Sequence, residues 1–105
     1  MGASATHEGG HVHIIIMGCG RVGSSLAILL EKRGHDVSVI DIDDNSFRRL
    51  GPDFKGRTVK GVGFDRSVLE KAGIREADGF AAVSSGDNSN VLSARVVREE
   101  FGIDN

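Results

Sequence analysis

An α/β fold with a doubly wound parallel sheet is expected from this sequence, on three observations. Short apolar runs rich in β-branched residues alternate with stretches whose apolar residues recur at helical spacing. The first of these runs stops abruptly at a cluster of glycines. The core material is aliphatic: the 105 residues include five Phe but no Trp or Tyr, which suits strands buried on both faces.

Residues 1–10 are small, polar and glycine-rich, and read as a disordered leader or cloning remnant. The folded domain is expected over 11–105. His11 to Met17 is a buried strand ending at Gly18. Val22, Leu26, Leu29 and Leu30 then mark one helix face, closed by Gly34. Asp36 to Asp41 is the second strand. A short helix capped by Asp44 or Asn45 follows and stops before Pro52, the only proline.

Arg57 to Gly61 is the third strand, and Arg66 to Ala72 a short helix stopped by Gly73. Gly79 to Ser84 is the fourth strand. A last helix, capped by Asp87 or Ser89, carries Val91, Leu92, Arg95 and Val96 and reaches about Phe101. Alternation at this spacing implies parallel strands joined by right-handed crossovers. A full doubly wound sheet has six strands. About four are expected here, in the order 3-2-1-4 with flanking helices, so the sheet reads as truncated at its C-terminal end.

Composition narrows the function. Net charge is −2 with both signs interspersed, so no basic face points to nucleic acid. A single Cys precludes an internal disulfide and fits a reducing cytoplasm. No apolar run approaches the ~18–20 residues that span a bilayer, so any membrane role runs through a partner.

The chemistry centres on Gly18-Cys19-Gly20-Arg21-Val22-Gly23, a G-x-G-x-x-G between a strand and an amphipathic helix. In that context Gly18 turns the chain off the strand, Gly20 admits a pyrophosphate to the backbone, and Gly23 lets the helix pack on the sheet. The phosphate would rest on free N–H groups at the positive end of the helix. The second half of this Rossmann-like fingerprint is an acid about 20 residues on. Asp41 fits, as an acceptor for ribose hydroxyls that disfavours the 2′-phosphate of NADP. The bland alternative is a tight turn alone.

Neighbouring residues carry paired readings. Arg21 either reaches a phosphate or is a solvated cation opposing the helix dipole. Cys19 is either redox-active or a small filler whose backbone matters. Asp43 either assists ribose or adenine binding or, with Asp41, Asp44 and Asp53, belongs to a divalent-cation site; ribose contact plus helix capping is the plainer reading. His11 and His13 could form half a metal site, but nothing is spaced to complete it. Asp87, Asn88 and Ser89 are helix caps or ligand contacts.

In open parallel sheets the ligand sits beyond the carboxyl ends of the strands. The expected site is therefore Gly18, Cys19, Gly20, Arg21, Val22 and Gly23 with Asp41, Ile42 and Asp43, then Gly61, Val62 and Gly63, then Ser84 and Ser85. No nucleophile–base pair stands out, so no catalytic residue and no metal ligand is assigned.

With those residues in place, the chain resembles the N-terminal domain of regulators of potassium conductance, also called the TrkA-N domain, found in Trk/Ktr-type subunits of bacterial K⁺ uptake systems. The resemblance rests on Ile16–Gly23, Gly34–Val37, Val39–Asp43, Gly61–Asp65, Leu69–Ile74 with Ala77-Asp78, and Ala82–Asn90. It implies a regulatory domain that is no enzyme and binds NAD(H), ATP or ADP, with AMP a further candidate. It also implies homodimers or higher rings in the full-length protein, and a cytoplasmic location at the inner face of the membrane through a K⁺ channel or transporter partner. Arg21 matches an arginine that approaches the terminal phosphates in ATP-responsive members. Val62 departs from the polar or acidic residue many members place there. Two other readings stay open: the cofactor-binding fragment of an NAD-dependent oxidoreductase, and an interaction module with a vestigial pocket.

Overall fold

A computed structural model of the chain describes residues 12–84 and 87–103. The leader, His11 and Ser85 lie outside the described residues, as do the side chains of 87–89 and with them the expected cap of the last helix. The elements follow the predicted alternation. They are β1 His13–Met17, α1 Arg21–Lys32, β2 Asp36–Asp41, a 3-10 helix Asp44–Leu50, β3 Arg57–Lys60, α2 Arg66–Lys71, a 3-10 turn Ile74–Glu76, β4 Gly79–Ala82 and α3 Asp87–Phe101.

The four strands form one parallel sheet in the order β3-β2-β1-β4. β1 is central, with Ile15 opposite Ser38 of β2 on one side and Phe80 of β4 on the other. Side-chain alternation along β1 splits its residues between two cores. Ile15 and Met17 join Ile40, Val59, Leu69, Ile74 and Val97 on the face covered by α2 and α3. Ile16 joins Cys19, Ala27, Val37, Val39 and Leu50 on the face covered by α1 and the 3-10 helix. Both faces of the sheet are thus covered, and Ile15, Ile16, Val39 and Ile40 are fully buried. This is why the strands read as continuous apolar runs.

Several details differ from expectation: β3 ends at Lys60, short of Gly61, and β4 at Ala82, short of Ser84. The cap of the 3-10 helix is Asp43, not Asp44 or Asn45: the Asn45 N–H donates to Asp43 Oδ1 at 3.0 Å. The expected short helix winds as 3-10, so Phe47 and Leu50, three apart, stack into the same core. The turn Ile74–Glu76 went unforeseen because its signal is a single apolar residue, Ile74, buried behind Gly73.

α3 is fixed at its far end by Phe101, whose ring lies under the guanidinium groups of Arg66 and Arg75, 5.9 and 5.5 Å from the centroid. Arg66 also pairs with Glu100 at 3.3 Å, and Arg75 with Glu70 at 2.6 Å.

Candidate functional site

The carboxyl ends of β1, β2 and β3, with the segment just past β4, meet at one rim, where the glycine loop turns off β1. Gly18 holds φ +114°, a conformation side chains rarely adopt, and a Cβ there would stand 2.6 Å from the backbone of Ser84. Its N–H donates to the Ile40 carbonyl at 2.7 Å, which ties the loop to β2. At Gly23 a Cβ would overlap the Gly18 carbonyl oxygen, so this residue permits α1 to start directly under the loop. At Gly20 nothing lies within 4 Å of the Cβ position. The first two glycine requirements are internal to the fold; the third leaves open space.

That space faces the start of α1. Gly20 is the N-cap, makes no side-chain cap bond, and no acidic residue occupies the first turn. The first N–H to find a partner is that of Ser24, on the Gly20 carbonyl at 2.9 Å. A helix leaves its first N–H groups without internal partners, with a partial positive charge. Arg21 stands exposed beside them, in no ion pair among the described residues.

Asp41, half-buried at the end of β2, holds both carboxylate oxygens on backbone. Oδ2 accepts from the Cys19 N–H at 2.8 Å and Oδ1 from the Asp43 N–H at 2.9 Å. The Cys19 side chain is fully buried, and its thiol donates to the Ser46 carbonyl at 3.3 Å. Burial and the neighbouring Asp41 charge push the thiol pKa up, against a smaller opposing pull from Arg49. A buried, protonated thiol is a poor nucleophile, so the filler role suits Cys19 better than a redox role.

These groups line a cavity of about 530 Å³, within the usual range for small-ligand sites. Of the residues expected there, Gly18, Cys19, Gly20, Arg21, Val22, Asp41, Ile42, Gly61, Val62, Gly63 and Ser84 line it. Gly23 sits behind the loop, and Asp43 is turned to its capping bond. Ile42 and Val62 expose their apolar side chains at the rim.

Met17, Ile40, Ser46, Arg49 and Val83 also line the cavity, and the sequence reading missed them. The available signal for Ser46 and Arg49 was their three-residue spacing on the short helix after β2, which sets them on one side. Asn90 was missed as a builder of the rim. Its side chain accepts from the Ser84 N–H at 3.0 Å and hydroxyl at 2.5 Å, and donates to the Ser84 carbonyl at 2.7 Å.

A larger concavity of about 940 Å³ lies at the amino ends of the strands. Its charges are mixed, with Lys55 and Arg57 among Glu31, Asp53 and Glu76, and His13 is bonded to Ser38 at 3.2 Å. It has no glycine loop and no open helix start, so size does not select it. Among the described residues no three His, Cys, Asp or Glu side chains gather as a metal site. No helix among them is long and apolar enough to cross a membrane.

Comparison with known proteins agrees with this architecture. A Trk system potassium uptake protein TrkA from Streptomyces coelicolor is 65% identical over 94 residues, covering 90% of this chain and 42% of the relative. A TrkA homolog from Pyrococcus abyssi is 40% identical over 82 residues, covering 78% and 36%. The chain therefore spans less than half the length of these relatives.

Among solved structures, the AMP-bound Kef C-terminal domain of Shewanella denitrificans superposes with a TM-score of 0.73 at 20% identity, covering 87% of this chain and 55% of that one. The WbmG enzyme of Bordetella bronchiseptica, in complex with NAD and UDP, gives 0.69 at 21% identity, covering 89% and 35%. At such identities the likeness is one of fold. The TrkA-N domain model matches residues 14–105, nearly all of the chain, and the protein belongs to the TrkA-N domain family.

Proposed function

We propose that this domain binds an adenine nucleotide, NAD(H) or ATP/ADP with AMP also accommodated, and that its occupancy regulates a membrane K⁺ channel or transporter. The observation that carries the reading is the uncapped start of α1, facing open space at Gly20 with Arg21 beside it. Free N–H groups and a cation are the chemistry that holds a phosphate. Asp41 is the acceptor for ribose hydroxyls and disfavours a 2′-phosphate. Ile42 and Val62 offer apolar surface to the purine, and Ser84 lies on the far side of the loop. The AMP and NAD held by proteins of this fold support an adenosine ligand.

The reading is regulatory, not enzymatic. Cys19 is buried and Ser84 is engaged by Asn90, so neither is poised for attack. The names of the relatives support the potassium-uptake context. The partner subunit, assembly into dimers or rings, and a cytoplasmic position at the inner face of the membrane belong to the longer protein in this reading. A ligand shifts such an assembly only by binding its two arrangements unequally.

Isothermal titration with NAD, NADH, ATP, ADP and AMP, with NADP as control, tests the site. Binding of one or more adenine nucleotides with NADP rejected is expected. A folded sample that takes none of them at millimolar concentration overturns the reading in favour of an interaction module. Arg21→Ala is expected to narrow any affinity difference between ATP and ADP; an unchanged difference removes Arg21 from the phosphate assignment.

A further inference from the structure

We infer that Asp41 is also a positioning residue for the phosphate-binding loop, so that the ribose end of the site sets the geometry of the phosphate end. The inference rests on the nucleotide reading above and deepens it. An ionised carboxylate has about four acceptor positions. In Asp41 two are used, one on each oxygen: Cys19 N–H on Oδ2 at 2.8 Å and Asp43 N–H on Oδ1 at 2.9 Å. Each oxygen keeps one position for a ribose hydroxyl.

The bond to Cys19 falls at a sensitive place. Cys19 stands between Gly18 and Gly20, two residues with wide conformational freedom. Its thiol is held by the Ser46 carbonyl at 3.3 Å, and the preceding N–H, that of Gly18, is held by Ile40 at 2.7 Å. All three ties run to β2 or to the 3-10 helix after it, and the Asp41 bond is the only charge-assisted one of the three. The next peptide leads into Gly20 and the open start of α1. Without the carboxylate, the peptide just before the one that must face a phosphate loses its strongest fixed point. Removing Asp41 therefore weakens phosphate binding even for a ligand with no ribose hydroxyl to offer.

The test compares ADP with 2′,3′-dideoxy-ADP, titrated calorimetrically into the wild-type chain, Asp41→Asn and Asp41→Ala. Asp41→Ala is expected to bind dideoxy-ADP more weakly than wild type by on the order of tenfold, the scale of one charge-assisted hydrogen bond. Asp41→Asn should fall between, because its amide oxygen still accepts from Cys19. Equal binding of dideoxy-ADP by wild type and Asp41→Ala overturns the inference and leaves Asp41 a ribose contact alone. Where Asp41→Ala does not fold, Asp41→Asn decides the matter by the same comparison. A folded wild-type chain that binds neither ligand sinks the nucleotide reading itself, an outcome distinct from equal binding by the variants.

Discussion

Two helices of this protein start from the same kind of place, a loop leaving the carboxyl end of a parallel strand, and they end that loop in opposite ways. At α2 the protein closes the helix itself. Asp65 Oδ1 accepts from the Ser67 N–H and hydroxyl, each at 2.9 Å. Those bonds, the hydroxyl first, hold the Asp65 carboxyl below its ordinary pKa. At α1 the cap is Gly20, with no side chain to accept and no acid in the first turn. Capping by Asp is worth more to a helix than capping by Gly, and the 3-10 helix is capped by Asp43 as α2 is by Asp65. Among the helices of more than one turn whose starts are described, α1 alone lacks a side-chain cap; the single turn Ile74–Glu76 also starts at a glycine. An end that the chain leaves unsatisfied is an end available to something that is not the chain.

The largest expected effect breaks the contrast at its base. Gly23→Ala puts a methyl into the Gly18 carbonyl, which is backbone and cannot swing aside. A loss of about 3 kcal/mol or more is expected in urea denaturation. A variant as stable as wild type shows that α1 can shift off the loop.

Gly20→Asp sharpens the contrast by giving α1 the cap that α2 already has. Its Cβ position is open and the backbone there is extended. Stability should rise by a few tenths of a kcal/mol, while nucleotide affinity falls by at least about tenfold, because the new carboxylate takes the N–H groups and repels phosphate. Undiminished affinity means that the ligand does not sit at this helix start.

The smallest effect comes from the closed end. Asp65→Ala should lower Tm modestly and leave nucleotide affinity unchanged. The same residue sets an acid-side trend. Asp65 and Glu70, the latter bonded by Arg75, both have lowered pKa values. Their contribution is complete above the ordinary carboxylate range and is lost as pH falls through the lowered values. A plot of Tm against pH should therefore drop less steeply on the acid side in Asp65→Ala than in wild type.

What could be read from the sequence, and what could not, divides along the range of the interactions involved. Strands and helices announced themselves through local periodicity, as in Ile14–Ile16 and Leu26–Leu30, and parallel alternation leaves few topologies. The glycine loop and Asp41 were legible because their spacing is a property of one strand–helix–strand unit. Arg49 and Ser46 were not, because their place in the cleft depends on a 3-10 helix anchored by Phe47 and Leu50 in the core. Asn90 escaped for a related reason. Its threefold engagement of Ser84 spans six residues across a turn that no periodic pattern describes. The cap at Asp43 was misplaced by one or two residues, to Asp44 or Asn45, since three consecutive polar residues, Asp43 to Asn45, suit the position about equally by type.

The central place of β1 bears on how the chain comes to be folded. Its partner on one side, β2, arrives after a single helix, whereas its partner on the other, β4, arrives only after the 3-10 helix, β3 and α2. The His13 N–H bond to Asp78 closes a separation of 65 residues, and Ile14 to Met17 then pair with Gly79 to Ala82. Long closures raise contact order and slow folding. As the chain leaves the ribosome, the β1–α1–β2 unit can assemble while one edge of its most apolar strand stays bare. The glycine loop can take shape in that interval, but Ser84, against which Gly18 packs, arrives only after β4. The cleft around the glycine loop is accordingly closed on that side only once β4 has docked.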